Sequence, residues 1–300
     1  MSPLPDIDAL PALPPKKRDW LFIFGLGIIL TVTVLAVIGP YIGPYDPTLT
    51  TVRVAVPPPA FGDIPGLFSA WIAGTLAHPP HWMGTDVSGY DIFSRVIAAP
   101  RTDLMIALLA NGLSLIIGVF LGLIAGYFRN FATELLMRVS DVMQSFPVFI
   151  SAMVLVTLAG RSTGNIIIAL AFVYIPIYIR LTRAEVLSQK SRGFVEAARA
   201  MGNTEMAIAL RHVLPNSLTP ALIQSSVTIG FAILLTAGLS FVGAGVRPPT
   251  PEWGLMISTG ANTIILGEWW PSVFPGIAIS LTVFGFAVLG NALERRYEDG

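Results

Sequence analysis

Long runs without charge dominate the chain, broken by short polar stretches. A run of about 20 apolar residues is enough to cross a bilayer. Six such runs are present: Trp20 to Ile42, Leu104 to Phe128, Val142 to Gly160, Ser162 to Ile179, a very long run from Val213 to Val246, and Trp269 to Leu293. The pattern predicts an all-α, polytopic membrane protein with six transmembrane helices. Trp253 to Gly267 is also uncharged but too short to span, and is expected to lie in or dip into the interface. Lys16, Lys17 and Arg18 precede the first run as they would in a secretory signal. The run is too long for a signal core and ends without a small-x-small cleavage site, so a retained first span is expected.

Lysine and arginine orient the spans. With the amino terminus in the cytoplasm, thirteen of these residues fall on cytoplasmic segments and five on outer ones (Arg53, Arg95, Arg101, Arg161 and Arg247). Both termini are therefore expected on the cytoplasmic side. The domain organisation follows: a polar, proline-rich tail over 1–19, a first span over 20–42, an outer segment over 43–101, and a five-helix core over 102–300. The core carries a cytoplasmic loop at about 180–215. Tryptophans at span ends and in loops fit the headgroup region.

Composition sharpens the picture. The chain has 300 residues, 54% hydrophobic and only 12% charged, with a mean hydropathy of +0.72. Soluble domains carry about 25% charged residues, so a soluble enzyme or a nucleic-acid binder is disfavoured. There is no cysteine and there are three histidines, His78, His81 and His212. No metal motif is formed, and no metal site is expected.

Within the second run, Gly118, Gly122 and Gly126 recur every four residues and line one helix face, as close helix packing requires. Pro147 and Pro176 are expected to kink the third and fourth spans. Before the second run, Ser88 is expected to cap a short amphipathic helix, with Asp91 at the capping-box position. Asp86 and Asp91 face the outer side, where fixing the loop is favoured over attracting a peptide amine. Carboxylates are absent from the span interiors, with Asp103, Asp141 and Glu185 read as solvated at span edges. That argues against a proton-coupled carrier. The GxxxxGK[ST] phosphate loop is absent, so energy for uphill transport has to come from a partner. Only scattered Asn111, Gln144, Asn165 and Asn291 are available for a membrane-embedded enzyme.

The cytoplasmic loop holds the most specific signal. Glu196 to Gly202 reads E-A-A-R-A-M-G, followed by N-T-E-M-A-I-A-L-R-H-V-L-P-N to Asn216. This predicts a short Ala-rich helix ending at Gly202, a turn, and a second helix capped by Asn203 or Thr204. Ala197, Ala198 and Ala200 make a thin face suited to a groove on a partner, with Glu196 and Arg199 as polar contacts. Composition alone leaves a solvated helix on the membrane surface open.

The loop resembles the signature of permease subunits in ATP-binding-cassette importers, matched at Glu196, Ala197, Ala198, Gly202, Leu214 and Pro215. His212 stands at a usually hydrophobic position, as in the peptide-importer branch. Further stretches resemble that branch: G-T-D-V-S-G-Y-D-I-F-S-R from Gly84, A-G-Y-F from Ala125, M-R-V-S-D-V-M from Met137, and L-S-F-V-G-A-G-V-R-P-P-T-P-E-W-G from Leu239. Tyr90 replaces the branch's usual arginine.

The resemblance implies a non-enzymatic pore subunit, the second permease of a dipeptide or oligopeptide importer in a bacterial inner membrane. It implies a homologous permease partner, two ATPase subunits that hold the ATP and magnesium, an external substrate-binding protein, and contact with membrane lipid. This chain binds no cofactor or nucleic acid in that reading. The segment 196–215 is then the coupling element, with Glu196, Ala197, Ala198, Arg199, Gly202, His212, Leu214 and Pro215 meeting the ATPases. Nickel complexes, glutathione or modified peptides are alternative cargo, and an ion-coupled carrier is the reading outside this class.

Overall fold

The computed structural model describes residues 20–298, and the tail expected over 1–19, including Lys16, Lys17 and Arg18, lies outside the described residues. The described chain is helical, without a named strand, and contains α1 (Trp20–Ile42), α2 (Ile64–Ile72), α3 (Ile92–Tyr127), α4 (Phe131–Ser145), α5 (Val148–Ala159) and α6 (Thr163–Lys190). There follow α7 (Gly193–Ala200), α8 (Glu205–Ile208), a π turn (Ala209–Val213), α9 (Leu214–Ser217), α10 (Thr219–Phe241), α11 (Trp253–Ala261) and α12 (Trp270–Glu298). Helices α1, α3, α6, α10 and α12 are long and apolar enough to cross a membrane, while α4 and α5 qualify only as a pair bent by 95°.

The bend corrects the expected third span. Val142 to Gly160 is not one kinked helix. Phe146 takes an extended conformation (φ −92°, ψ 143°) and Pro147 starts a new helix. A residue before proline is pushed out of the α region, and proline lacks the N–H that would continue the ladder. Pro176, by contrast, is accommodated inside α6.

The second span is also longer than its apolar run. A single helix of 36 residues runs from Ile92 to Tyr127, about 54 Å at 1.5 Å per residue. Its N-cap is Asp91 rather than Ser88, with the Asp91 carboxylate accepting from Ser94 N. Helix α6 likewise continues to Lys190, so the loop expected from about Arg180 begins at Ser191.

The most extensive helix pair is α3 with α6. A Cβ on Gly122 would stand 2.8 Å from the Ile179 carbonyl oxygen and from Thr182 Cβ. One on Gly126 would stand 2.8 Å from Val186 Cβ, and Gly118 lies against Tyr178. Small residues here let two helix backbones approach within van der Waals reach, which supplies the packing that lipid-exposed helices otherwise lack. The main core joins α1, α3, α5, α6, α10, α11 and α12. Helix α11 does not lie free in the interface: Trp253 is buried, and Gly254 and Gly260 press it onto α10 and α12.

Candidate functional site: the loop hairpin and the opposite cap

The loop after α6 folds as a hairpin of α7 and α8. Gly202 has φ +83°, the left-handed conformation in which a side chain strains the backbone. Thr204 caps α8, its hydroxyl accepting from Ala207 N at 3.3 Å. On the inner face Val195, Ala198, Ile208, Ala209 and Val213 pack with Leu123 and Tyr127 of α3 and Val186 of α6. Burying Val195, Ile208 and Val213 contributes about 1.5–3 kcal/mol each, so the hairpin is fastened to the ends of both long helices.

Polar contacts reinforce that seat. Arg199 donates to Glu205 through Nε at 2.6 Å and Nη2 at 3.0 Å, and the Tyr127 hydroxyl donates to the same carboxylate. Hydrogen bonding from Arg199, then from Tyr127, holds the Glu205 carboxyl down at about 2. Lys190 donates to the Tyr127 carbonyl at 2.6 Å.

Of the expected coupling residues, Glu196, Ala197, Arg199, Gly202 and Pro215 are exposed, whereas Ala198 points inward. Arg199 is engaged within the hairpin. Leu214 packs at the junction of two buried clusters, and the His212 carbonyl accepts from Asn216 Nδ2 at 2.6 Å. Met201 and Met206 add exposed apolar surface around the turn. Glu205 and Tyr127 were not singled out from the sequence. Their only signal is an acid placed just past the turn from Arg199.

The opposite end of the bundle is fixed by buried polar groups. Asp91 also pairs with His81 Nδ1 at 2.7 Å, and Asp86 accepts from Ser88 N at 2.9 Å and Tyr90 N at 3.0 Å. Burial pushes the Asp86 carboxyl up, partly offset by the Tyr90 N–H and by Arg95. Both carboxylates hold the loop in shape. Arg95, itself buried, donates to the carbonyls of Pro47 (2.9 Å), Pro249 (3.0 Å) and Thr250 (3.2 Å), and lies over the Tyr90 ring. It ties α3 to the stretch leading into α11.

Asp103 corrects an expectation. It is 1% exposed, not solvated at a span edge, and Glu252 beside it is 0% exposed. The two carboxyls are close enough to hydrogen-bond. Glu252 caps α11 by accepting from Gly254 N (2.8 Å) and Leu255 N (2.7 Å), while Asp103 accepts from Trp253 N at 3.3 Å. Burial pushes the Glu252 carboxyl up. A second polar node, inside the bundle, joins Asn111, Tyr178 and Ser225 of α3, α6 and α10, with Asn111 Nδ2 donating to Ser225 Oγ at 2.6 Å. Among the described residues no group of three or more histidines and acids is arranged to hold a metal ion.

Span-length helices around one core, with a short helical hairpin clamped to their ends, define the architecture of a multi-pass membrane protein. Residues 118–299 match the family described as binding-protein-dependent transport system inner membrane component, and residues 17–58 match the N-terminal TM domain of oligopeptide transport permease C. A di/tripeptide transport system permease protein of Pseudomonas aeruginosa is 36% identical, over 90% of this chain and 85% of the relative. A dipeptide transport system permease protein of Alkalihalophilus pseudofirmus is 37% identical, over 93% and 85%. A glutathione transport system permease protein of Pectobacterium atrosepticum is 37% identical, over 71% of each chain. The chain belongs to the binding-protein-dependent transport system inner membrane component family, and is a multi-pass protein of the inner membrane. A crystal structure of an amino acid ABC transporter with histidines shares the fold, with TM-score 0.50 and 19% identity over 67% of this chain and 94% of that one.

Proposed function

We propose that this chain is the second permease of an ATP-driven importer of dipeptides or oligopeptides. It forms the translocation pore with a homologous permease. Two ATPase subunits, which hold the ATP and magnesium, dock on the hairpin from the cytoplasm, where both termini also lie. An external binding protein delivers the cargo to the outer segment.

The observation that supports this most is the hairpin's two-sidedness. Its inner face is fastened to α3 and α6, so a push on the outer face from Glu196 to Met206 moves both helices together. Gly202 lies at the tip, and a Cβ there would meet nothing within 4 Å of the chain. A side chain at 202 would thus project into whatever docks. The peptide and glutathione relatives share the same machinery by name, and glutathione is itself a modified peptide, which makes it the second cargo reading.

The test is affinity purification of the tagged chain from native membranes in mild detergent with ATP, followed by mass spectrometry. A second permease, ATPase subunits and a bound peptide are expected. Gly202→Asn, which tolerates the left-handed backbone better than other side chains, is expected to keep the permease and lose the ATPases. A chain that purifies alone under these conditions overturns the reading.

A further inference from the structure

A polar cleft of about 520 Å³ opens between α3, α4 and α6, at the ends of α3 and α6 nearest the hairpin. Arg129, Arg138 and Arg183 line it, with Glu134 and Asp141. Asp141 is engaged by Arg180 at 2.8 Å. None of the three lining arginines has a carboxylate within ion-pair distance among the described residues, and Nε of Arg183 is buried without a hydrogen-bond partner. Three lining arginines face two lining carboxylates, and Arg180, outside the lining, already engages Asp141, so the cleft keeps an excess of positive charge.

Helix α4 is amphipathic across this cleft. Glu134, Arg138 and Asp141 face in, whereas Phe131, Leu135, Val139 and Val142 form an exposed apolar stripe on an adjacent face. A soluble anion would need only the arginines. A cationic pocket beside an exposed apolar stripe suits a ligand with an anionic head and apolar tails, the chemistry of basic interhelical pockets on the cytoplasmic side of membranes.

We propose that this cleft binds the phosphodiester headgroup of an acidic phospholipid of the inner leaflet, with Arg129, Arg138 and Arg183 as its donors and the acyl chains along the α4 stripe. The leaflet rests on the topology proposed above. The site itself does not.

The experiment uses the full tagged chain with whatever subunits accompany it. After washing in detergent with phosphatidylcholine, retained phospholipid is measured by mass spectrometry, and thermal unfolding is followed in nanodiscs with and without phosphatidylglycerol. Phosphatidylglycerol is expected to be retained over phosphatidylcholine. Arg129→Gln combined with Arg183→Gln is expected to lower its retention about tenfold, the loss of one or more charge-assisted hydrogen bonds. Arg183→Lys should retain more lipid than Arg183→Gln, and Arg53→Gln, on the outer segment, should behave as wild type. If the double variant does not fold, Arg129→Gln alone, at an exposed position past the end of α3, carries the comparison.

Equal retention by wild type and variant overturns the proposal. So does equal protection by inorganic phosphate, which marks a soluble-anion site. A photo-crosslinker at Met137 that labels a protein subunit rather than lipid overturns it too. Because the chain has no cysteine, Arg192→Cys reports the side of the membrane by impermeant maleimide labelling. Labelling from outside overturns the leaflet and the topology together, whereas inside labelling without lipid selectivity overturns the site alone.

Discussion

Two glycines on one helix are expected to respond to the same substitution with opposite signs. A Cβ at Gly122 would lie 2.8 Å from the Ile179 carbonyl oxygen and 2.8 Å from Thr182 Cβ. Carbon contacts settle at about 3.5–4.0 Å, so the two helices must part by roughly 0.7–1.2 Å. Neither obstacle is a flexible chain end: one is backbone and the other the branch point of a buried threonine. Overpacking of this kind costs about 1–3 kcal/mol. A Cβ at Gly112, ten residues earlier in α3, meets nothing within 4 Å. There alanine relieves the backbone entropy of glycine, a gain of about 0.5–1 kcal/mol. Thermal unfolding of the purified chain in detergent, read by tryptophan fluorescence, compares the two variants. At about 2–4 °C per kcal/mol for a large domain, Gly122→Ala should unfold several degrees below wild type and Gly112→Ala at or slightly above it. Equal midpoints for the two variants would refute the claim that the α3–α6 interface is held at backbone contact by its glycines.

Two further predictions concern the carboxylates. The folded-state pKa of Glu205 is held at about 2, below its ordinary 4.5, so its contribution is present above pH 4.5 and is lost as pH falls toward 2. Hydrogen-exchange protection over residues 193–213, taken relative to the intrinsic rate at each pH, should fall across that acid window in the wild type, while Glu205→Gln should already be less protected at neutral pH; a wild-type hairpin whose protection is insensitive to acid would refute the latch. At the other end of the bundle, burial raises the Glu252 carboxyl, so the stability linked to it is full below its ordinary pKa and is lost as pH rises through the raised value. Asp103→Asn places beside Glu252 a neighbour that cannot ionise and can donate, and should stabilise the fold at about pH 8 by on the order of 1–3 kcal/mol while flattening the pH dependence; a less stable variant there would show that the paired carboxyls stabilise the fold.

The spans were legible because a bilayer demands long uncharged runs, and the runs of α1, α10 and α12 have the observed places. The charge criterion also caused the errors. It stopped the fourth span near Ile179, although α6 carries Arg180, Arg183, Glu185 and Lys190 onward as a helix beyond the apolar layer. It started the second span at Leu104, because Arg101 and Asp103 interrupt the apolar run, so the amphipathic helix expected after Ser88 stood apart from the span when both are one helix, α3. It joined α4 to α5, since Pro147 inside an apolar run signals a kink and says nothing of its angle. The hairpin was legible at its turn, where Gly202 and Thr204 do what their backbone preferences dictate. Its latch was not, because the Tyr127–Glu205 contact joins residues far apart in sequence through the packing of α3.

Helix α3 also constrains how the chain can vary in length. It reaches unbroken from the Asp91 cap, past the Arg95 clamp and Asp103, to Tyr127 at the hairpin. A rod of this kind keeps its two ends in fixed angular phase. Inserting a single residue between Gly112 and Leu113 would turn one end by about 100° and slide it about 1.5 Å relative to the other. Arg95 or Tyr127 would then lose its partners. Insertions and deletions should therefore be tolerated in the proline-rich stretch before Thr85 and refused along α3, so the segment between α1 and α3 is free to diversify in size while the helix that follows it keeps its length.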